Sequence, residues 1–165
     1  MSWKTGFRSL YYLGAPEPDD PVLVPAQTAI LIIDVQNTYL ERPDRASLSP
    51  QEQQRYDLWT PFHERMHGAV IPTKTTDSAL TGTNLRLILH NLGIRNVICC
   101  GIFTDQCVSS TVRSLADESF AVIVIEDCCA AATDELHRKE LEIINMIYCH
   151  VMSSAEFCKI MALAK

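Results

Sequence analysis

The 165-residue chain is poor in aromatic residues, at 7%, and its 14 basic side chains are outnumbered by 20 acidic ones. The basic residues are scattered, so neither nucleic acid nor an anionic membrane surface is an expected partner. No apolar stretch approaches the roughly 20 residues of a membrane-spanning helix. Residues 1–13 carry Lys4 and Arg8 but no continuous apolar run and no small-residue cleavage site, which argues against a secretory signal. Internal repeats and low-complexity segments are also lacking. No pair of cysteines has C-x-x-C spacing, although there are seven: Cys99, Cys100, Cys107, Cys128, Cys129, Cys149 and Cys158. An odd number with two adjacent pairs suits free thiols in a reducing cytoplasm rather than a disulfide framework or a zinc site.

What the chain does have is material for a core. It is 47% hydrophobic and 21% charged, which suits a single domain over residues 1–165 that buries roughly 70% of its unfolded surface. Residues 1–28, with Pro16, Pro18, Pro21 and Pro25, read as an extended lead-in. Three continuous apolar runs read as strands of a buried parallel sheet: 29–33, ending in Asp34; 97–102; and 121–125, followed by Glu126 and Asp127. Asp127 is expected to end a strand or cap a helix. Helical spacing joins Leu85, Ile88, Leu89 and Leu92, with Gly93 as a stop, and recurs at Val108, Thr111, Val112 and Leu115. Residues 136–148 form a further helix candidate, and Ser153-x-x-Glu156 is a capping box that opens a last one. Residues 41–56 are polar. Residues 59–66 offer a short helix, and 69–71 a strand that Pro72 confines to an edge or an end. Alternating buried strands and amphipathic helices predict an α/β domain.

Ligands of parallel α/β sheets bind beyond the carboxyl ends of the strands. Asp34, Lys74 and Cys107 all fall at or just beyond such ends. Cys107 lies on the first turn of a helix, where unpaired N–H groups and the helix dipole favour a thiolate. Asp34 offers a general base or acid, and a lysine between the two lowers the pKa of both. Each residue alone has a plainer reading: an aspartate that caps, a solvated lysine, a cysteine packed as a small hydrophobe.

Three blocks raise the odds: residues 30–37 (ILIIDVQN), 74–85 (KTTDSALTGTNL) and 101–108 (GIFTDQCV). Together and in this order they resemble the isochorismatase-like cysteine hydrolase superfamily, over residues 28–40 and about 74–158. That group includes isochorismatases, nicotinamidases, N-carbamoylsarcosine amidases, and ureidoacrylate, biuret and maleamate amidohydrolases. The resemblance implies a Rossmann-like three-layer α/β/α fold with a mainly parallel sheet. It implies a catalytic triad of Asp34, Lys74 and Cys107, and a cis peptide between Ile102 and Phe103. That peptide would aim the backbone N–H groups of Phe103 and Cys107 at one point as an oxyanion hole. The implied chemistry is thioester-mediated cleavage of a C–N bond in a small amide, carbamoyl or ureido substrate, with release of ammonia or an amine. Gln36, Asn37, Phe103 and Thr104 are candidate substrate contacts, and Asp105 and Gln106 begin the helix. The resemblance also points to a homo-oligomer, a dimer or tetramer. No cofactor is expected. Nicotinamidases of the group hold zinc through an Asp-x-His…His pattern; here His63 and His67 stand at i, i+4, but Pro61 occupies the position of the Asp, so no metal is expected either.

The stretch between Asp34 and Lys74 is short, polar and proline-flanked, and the helix–strand–loop unit expected there is missing in whole or part. Two other readings therefore stay open: vinyl ether hydrolysis of the isochorismatase type, for which the cysteine is dispensable, and a non-catalytic binding or assembly protein of the same fold.

Overall fold

Continuous apolar runs build the sheet in the computed structural model, which describes residues 3–34, 44–54, 57 and 74–163. Four strands, β1 (Thr28–Ile33), β2 (Asn96–Ile102), β3 (Ala121–Ala130) and β4 (His150–Met152), lie in the order β1-β2-β3-β4, every neighbouring pair parallel. β1 and β2 keep register from Thr28↔Asn96 to Ile33↔Gly101. β3 runs past the expected end at residue 125 because it slips against β2 between Cys99 and Gly101, bringing Cys129 opposite Gly101. β4 has only three residues, too few for a legible pattern.

Helices α1 (Leu85–Asn91), α2 (Ser109–Asp117), α3 (Asp134–Ile144) and α4 (Ser154–Leu163) cover both faces. Leu31, Ile33, Val97, Val122 and Val124 pack against Leu85 and Leu89 of α1, Val112 and Leu115 of α2, and Leu141 and Ile144 of α3. On the opposite face Ile98, Ile123, Ile125 and Met152 meet Phe157, Ile160 and Met161 of α4. This is the expected three-layer α/β/α arrangement. The capping box forms as predicted: Glu156 accepts from Ser153 N at 2.9 Å, and Ser153 Oγ accepts from Glu156 N at 3.2 Å. Asp127 adds a second clamp on the same helix start, accepting from Ser154 N (2.8 Å) and Ser154 Oγ (2.6 Å).

The structure corrects two further boundaries. α3 does not run to residue 148 but stops before Asn145, whose buried amide is fully engaged. It donates to Trp3 O (3.0 Å) and Phe7 O (2.8 Å) and accepts from Val151 N (3.2 Å). The lead-in is accordingly not extended at its start. Trp3 is core, 5% exposed, and its indole donates to Glu126 at 2.5 Å. Leu10–Tyr12 and Pro25–Gln27 are 3-10 turns.

Among the described residues β1 pairs on one side only, and on the α4 side Ile30 and Ile32 are 61% and 41% exposed. The helix and strand expected at 59–66 and 69–71 lie outside the described residues, as do Gln36, Asn37, His63 and His67. No helix among the described residues is long and apolar enough to cross a membrane. All seven cysteines are free.

Candidate active site

Asp34 follows the last residue of β1 and has φ +56°, a left-handed conformation that Asp tolerates better than most residues. Ile33 immediately before it pairs with Gly101. Gly101 has φ +124°, and a Cβ there would stand 2.1 Å from Ile33 O. Only glycine lets the two strands close this tightly, and that closeness carries Asp34 toward residues 102–107. The Ile102–Phe103 peptide is cis. Beyond it, Thr104–Val108 forms a wide turn in which Val108 N–H reaches back five residues to Phe103 O, at 3.1 Å, before α2 continues. Turns of this π type recur at functional sites. Cys107 sits on it.

Lys74 enters on an irregular segment that α2 fastens from behind. Ala79 N donates to Thr111 Oγ1 (3.0 Å), and Thr111 Oγ1 donates to Cys107 O (2.7 Å). Ser78 Oγ donates to Ser114 Oγ (2.9 Å). One buried threonine thus ties the lysine segment to the cysteine turn. The helical spacing marked Thr111 only as part of an apolar face; its hydroxyl, four residues past Cys107, is what matters here.

The three predicted residues converge. Lys74 Nζ lies 2.6 Å from Asp34 Oδ2, with side chains 11% and 8% exposed. The Cys107 thiol interacts with both. Burial works against the Lys74 charge, but hydrogen bonds to Asp34 and Cys107 and the attraction of both outweigh it, so its pKa is raised. For Cys107, burial first and the hydrogen bond to Asp34 second push the thiol up to about 11, with Lys74 opposing. This corrects the expectation of a resting thiolate. The helix-terminus argument counts only local dipoles, whereas burial and the Asp34 charge come from elsewhere in the fold and outweigh them. At neutral pH the thiol keeps its proton.

Thr104, expected to face substrate, does not: it is 0% exposed, and its Oγ1 is 2.8 Å from His137 Nδ1 on α3. Burial lowers the His137 pKa, and the threonine hydroxyl and the ring nitrogen share one hydrogen bond. Phe103 is half-buried at the start of the turn. Sequence reasoning missed His137, because its partner is remote along the chain. It also missed Asp77, whose Oδ1 is 3.8 Å from Cys107 Sγ. Thr104→Val keeps the shape but leaves the ring nitrogen unpaired. It should cost about 2 kcal/mol, roughly 4–8 °C in Tm by calorimetry, and Thr104→Ser about half as much. A Thr104→Val protein as stable as wild type would mean that the His137 contact holds nothing.

The model of the Isochorismatase domain matches residues 49–156. The chain belongs to the isochorismatase family. Isochorismatase family protein YecD of Escherichia coli O157:H7 is 40% identical over 70 residues, covering 42% of this chain and 36% of that protein. YddQ of Bacillus subtilis (strain 168), of the same family, is 22% identical over 178 residues, covering 80% of this chain and 99% of YddQ. The solved cysteine hydrolase from Pseudomonas syringae pv. phaseolicola 1448A superposes with a TM-score of 0.66 at 18% identity, over 90% of this chain and 100% of that one. It shares the fold of this isochorismatase-family chain.

Proposed function

We propose that the protein is a cysteine amidohydrolase that cleaves a C–N bond in a small amide, carbamoyl or ureido compound. The observation that carries this reading is the convergence of Asp34, Lys74 and Cys107, from three separate sequence blocks, into one hydrogen-bonded set. Nicotinamidase 3 of Arabidopsis thaliana, 34% identical over 68 residues, and ureidoacrylate amidohydrolase RutB of Enterobacter sp. (strain 638), 33% identical over 92, support amide chemistry. The chain matches 34% and 40% of their lengths.

Asp34 takes the Cys107 proton as sulfur attacks the carbonyl carbon, so no free thiolate has to accumulate. The carbonyl electrons move to oxygen, which the backbone N–H groups of Phe103 and Cys107 receive. One such donor is worth about 3–4 kcal/mol of barrier in well-studied cases. The protonated Asp34 then gives its proton to the departing nitrogen, and ammonia or an amine leaves. Water, deprotonated by Asp34, cleaves the thioester and restores the thiol. Lys74 keeps Asp34 oriented and offsets its charge.

The test is a screen of small amides, carbamates and ureas for ammonia release, with Cys107→Ala as control and isochorismate as a competing substrate. Ammonia from at least one amide, absent in Cys107→Ala, supports the reading. Turnover of isochorismate alone, or full amide turnover by Cys107→Ala, overturns it.

A further inference from the structure

We propose that Asp77 acts as a charge filter beside the nucleophile, so that this site takes small amides that are neutral or cationic around the scissile bond and turns carboxylated ones away. The inference rests on Cys107 being the attacking group.

Asp77 is placed firmly although its side chain is open to solvent. The next two residues, Ser78 and Ala79, are the ones bonded to Ser114 and Thr111 of α2. Its Oδ1 lies 3.8 Å from Cys107 Sγ. The Lys74 ammonium cannot balance it at close range, because that charge is already bonded to Asp34 at 2.6 Å. Among the described residues, the charges that contact the thiol or its partners are thus two carboxylates and one ammonium. An attacked carbonyl carbon must come within roughly 3–3.5 Å of the sulfur. Substituents on that carbon then lie close enough to Asp77 to feel its charge. A carboxylate there accepts hydrogen bonds from amide or ureido N–H groups, attracts a cation and repels a second carboxylate. Asp77 does not duplicate Asp34, which is buried against its lysine, whereas Asp77 faces water where substrates arrive.

Two methanethiosulfonate reagents with the same leaving group read this charge without any substrate. One carries a trimethylammonioethyl group and the other a sulfonatoethyl group. With either, the cysteine sulfur displaces methanesulfinate and forms a mixed disulfide. Rates at Cys107 and at exposed Cys158 are followed by peptide mass spectrometry at low salt, where screening is least. The wild type should modify Cys107 faster with the cation. Asp77→Asn should shrink the cation-to-anion rate ratio at Cys107 by about tenfold, the scale of one partly exposed charge acting on both reagents. Asp77→Glu should hold the ratio within about threefold, and the Cys158 ratio should not move in either variant. In the ammonia screen, butanamide should outrank succinamate, with the gap narrowing in Asp77→Asn. A Cys107 ratio unchanged by Asp77→Asn, or a preference for succinamate, overturns the filter. Those outcomes are independent of the Cys107→Ala turnover result, which alone decides whether Cys107 is the nucleophile.

Discussion

Asp34→Asn should abolish turnover and at the same time make Cys107 react faster with iodoacetamide. The two effects have opposite signs because Asp34 does two things. As the proton acceptor and donor of the cycle it cannot be replaced by an amide, and losing such a group costs on the order of a thousandfold or more in kcat. As a negative charge bonded to the thiol, it holds the proton on sulfur, and with the larger effect of burial it pushes Cys107 up to about 11. Removing that charge lowers the thiol pKa, so the thiolate fraction at pH 8 rises, and alkylation follows the thiolate. Lys74→Met should move alkylation the other way, since Lys74 is the group that lowers the thiol pKa, and it too should depress turnover. In the wild type the alkylation rate should climb about tenfold per pH unit until the pH nears the thiol pKa, about 11. The measurement is the alkylation rate against pH for the three proteins, beside ammonia release, at temperatures where all are folded. Unchanged alkylation in Asp34→Asn would separate that carboxylate from the thiol, and retained turnover would remove it from the reaction.

The grouping of Asp34, Lys74 and Cys107 was legible in the sequence because each residue stands in a short block that keeps its own signature: an apolar strand ending in Asp34, a lysine segment, and the turn around Cys107. β1 and β2 were legible for the same local reason, as continuous apolar runs. What failed depended on partners far along the chain. α3 ends where it does because Asn145 serves Trp3 O, and no periodicity within the helix announces that. Thr104 was expected on the substrate side because it follows the cis peptide anticipated at Ile102–Phe103. Its direction is set instead by His137 on another helix. The protonation state of Cys107 was misjudged because dipoles can be read from local sequence and burial cannot. Asp77 stood in plain view inside the lysine block, but proximity to sulfur is a property of the folded segment, fixed by Ser78 and Ala79.

Gly101→Ala should be the most destabilising addition of one methyl group at the glycines compared here. Gly101 pairs with Ile33, and an added Cβ would stand 2.1 Å from Ile33 O and 2.7 Å from Ile33 N, both backbone atoms that no rotamer change can move aside. Its φ of +124° adds strain for any L side chain, of order 1–3 kcal/mol. The strands must part at this point to admit the methyl group. A total on the order of 4 kcal/mol corresponds to a Tm lower by roughly 8–16 °C for a chain of this size. Two other glycines separate the contributions. Gly93 has φ +67° but nothing within 4 Å of its added Cβ, so Gly93→Ala should cost only the strain, about 1 kcal/mol. Gly14, with nothing within 4 Å and no positive φ, should change by no more than about 0.5 kcal/mol. Thermal unfolding of the three variants should rank Gly101 far below Gly93, and Gly93 below Gly14; a Gly101→Ala Tm within about 2 °C of wild type would mean that β1 and β2 are not in such close contact. Activity should fall further than stability. Asp34 directly follows Ile33, and residues 102–107 directly follow Gly101, so prying this pair apart moves the base away from the thiol. A misplacement near 1 Å costs about a hundredfold in rate, and the folded fraction of Gly101→Ala should show that loss even at temperatures where unfolding is negligible.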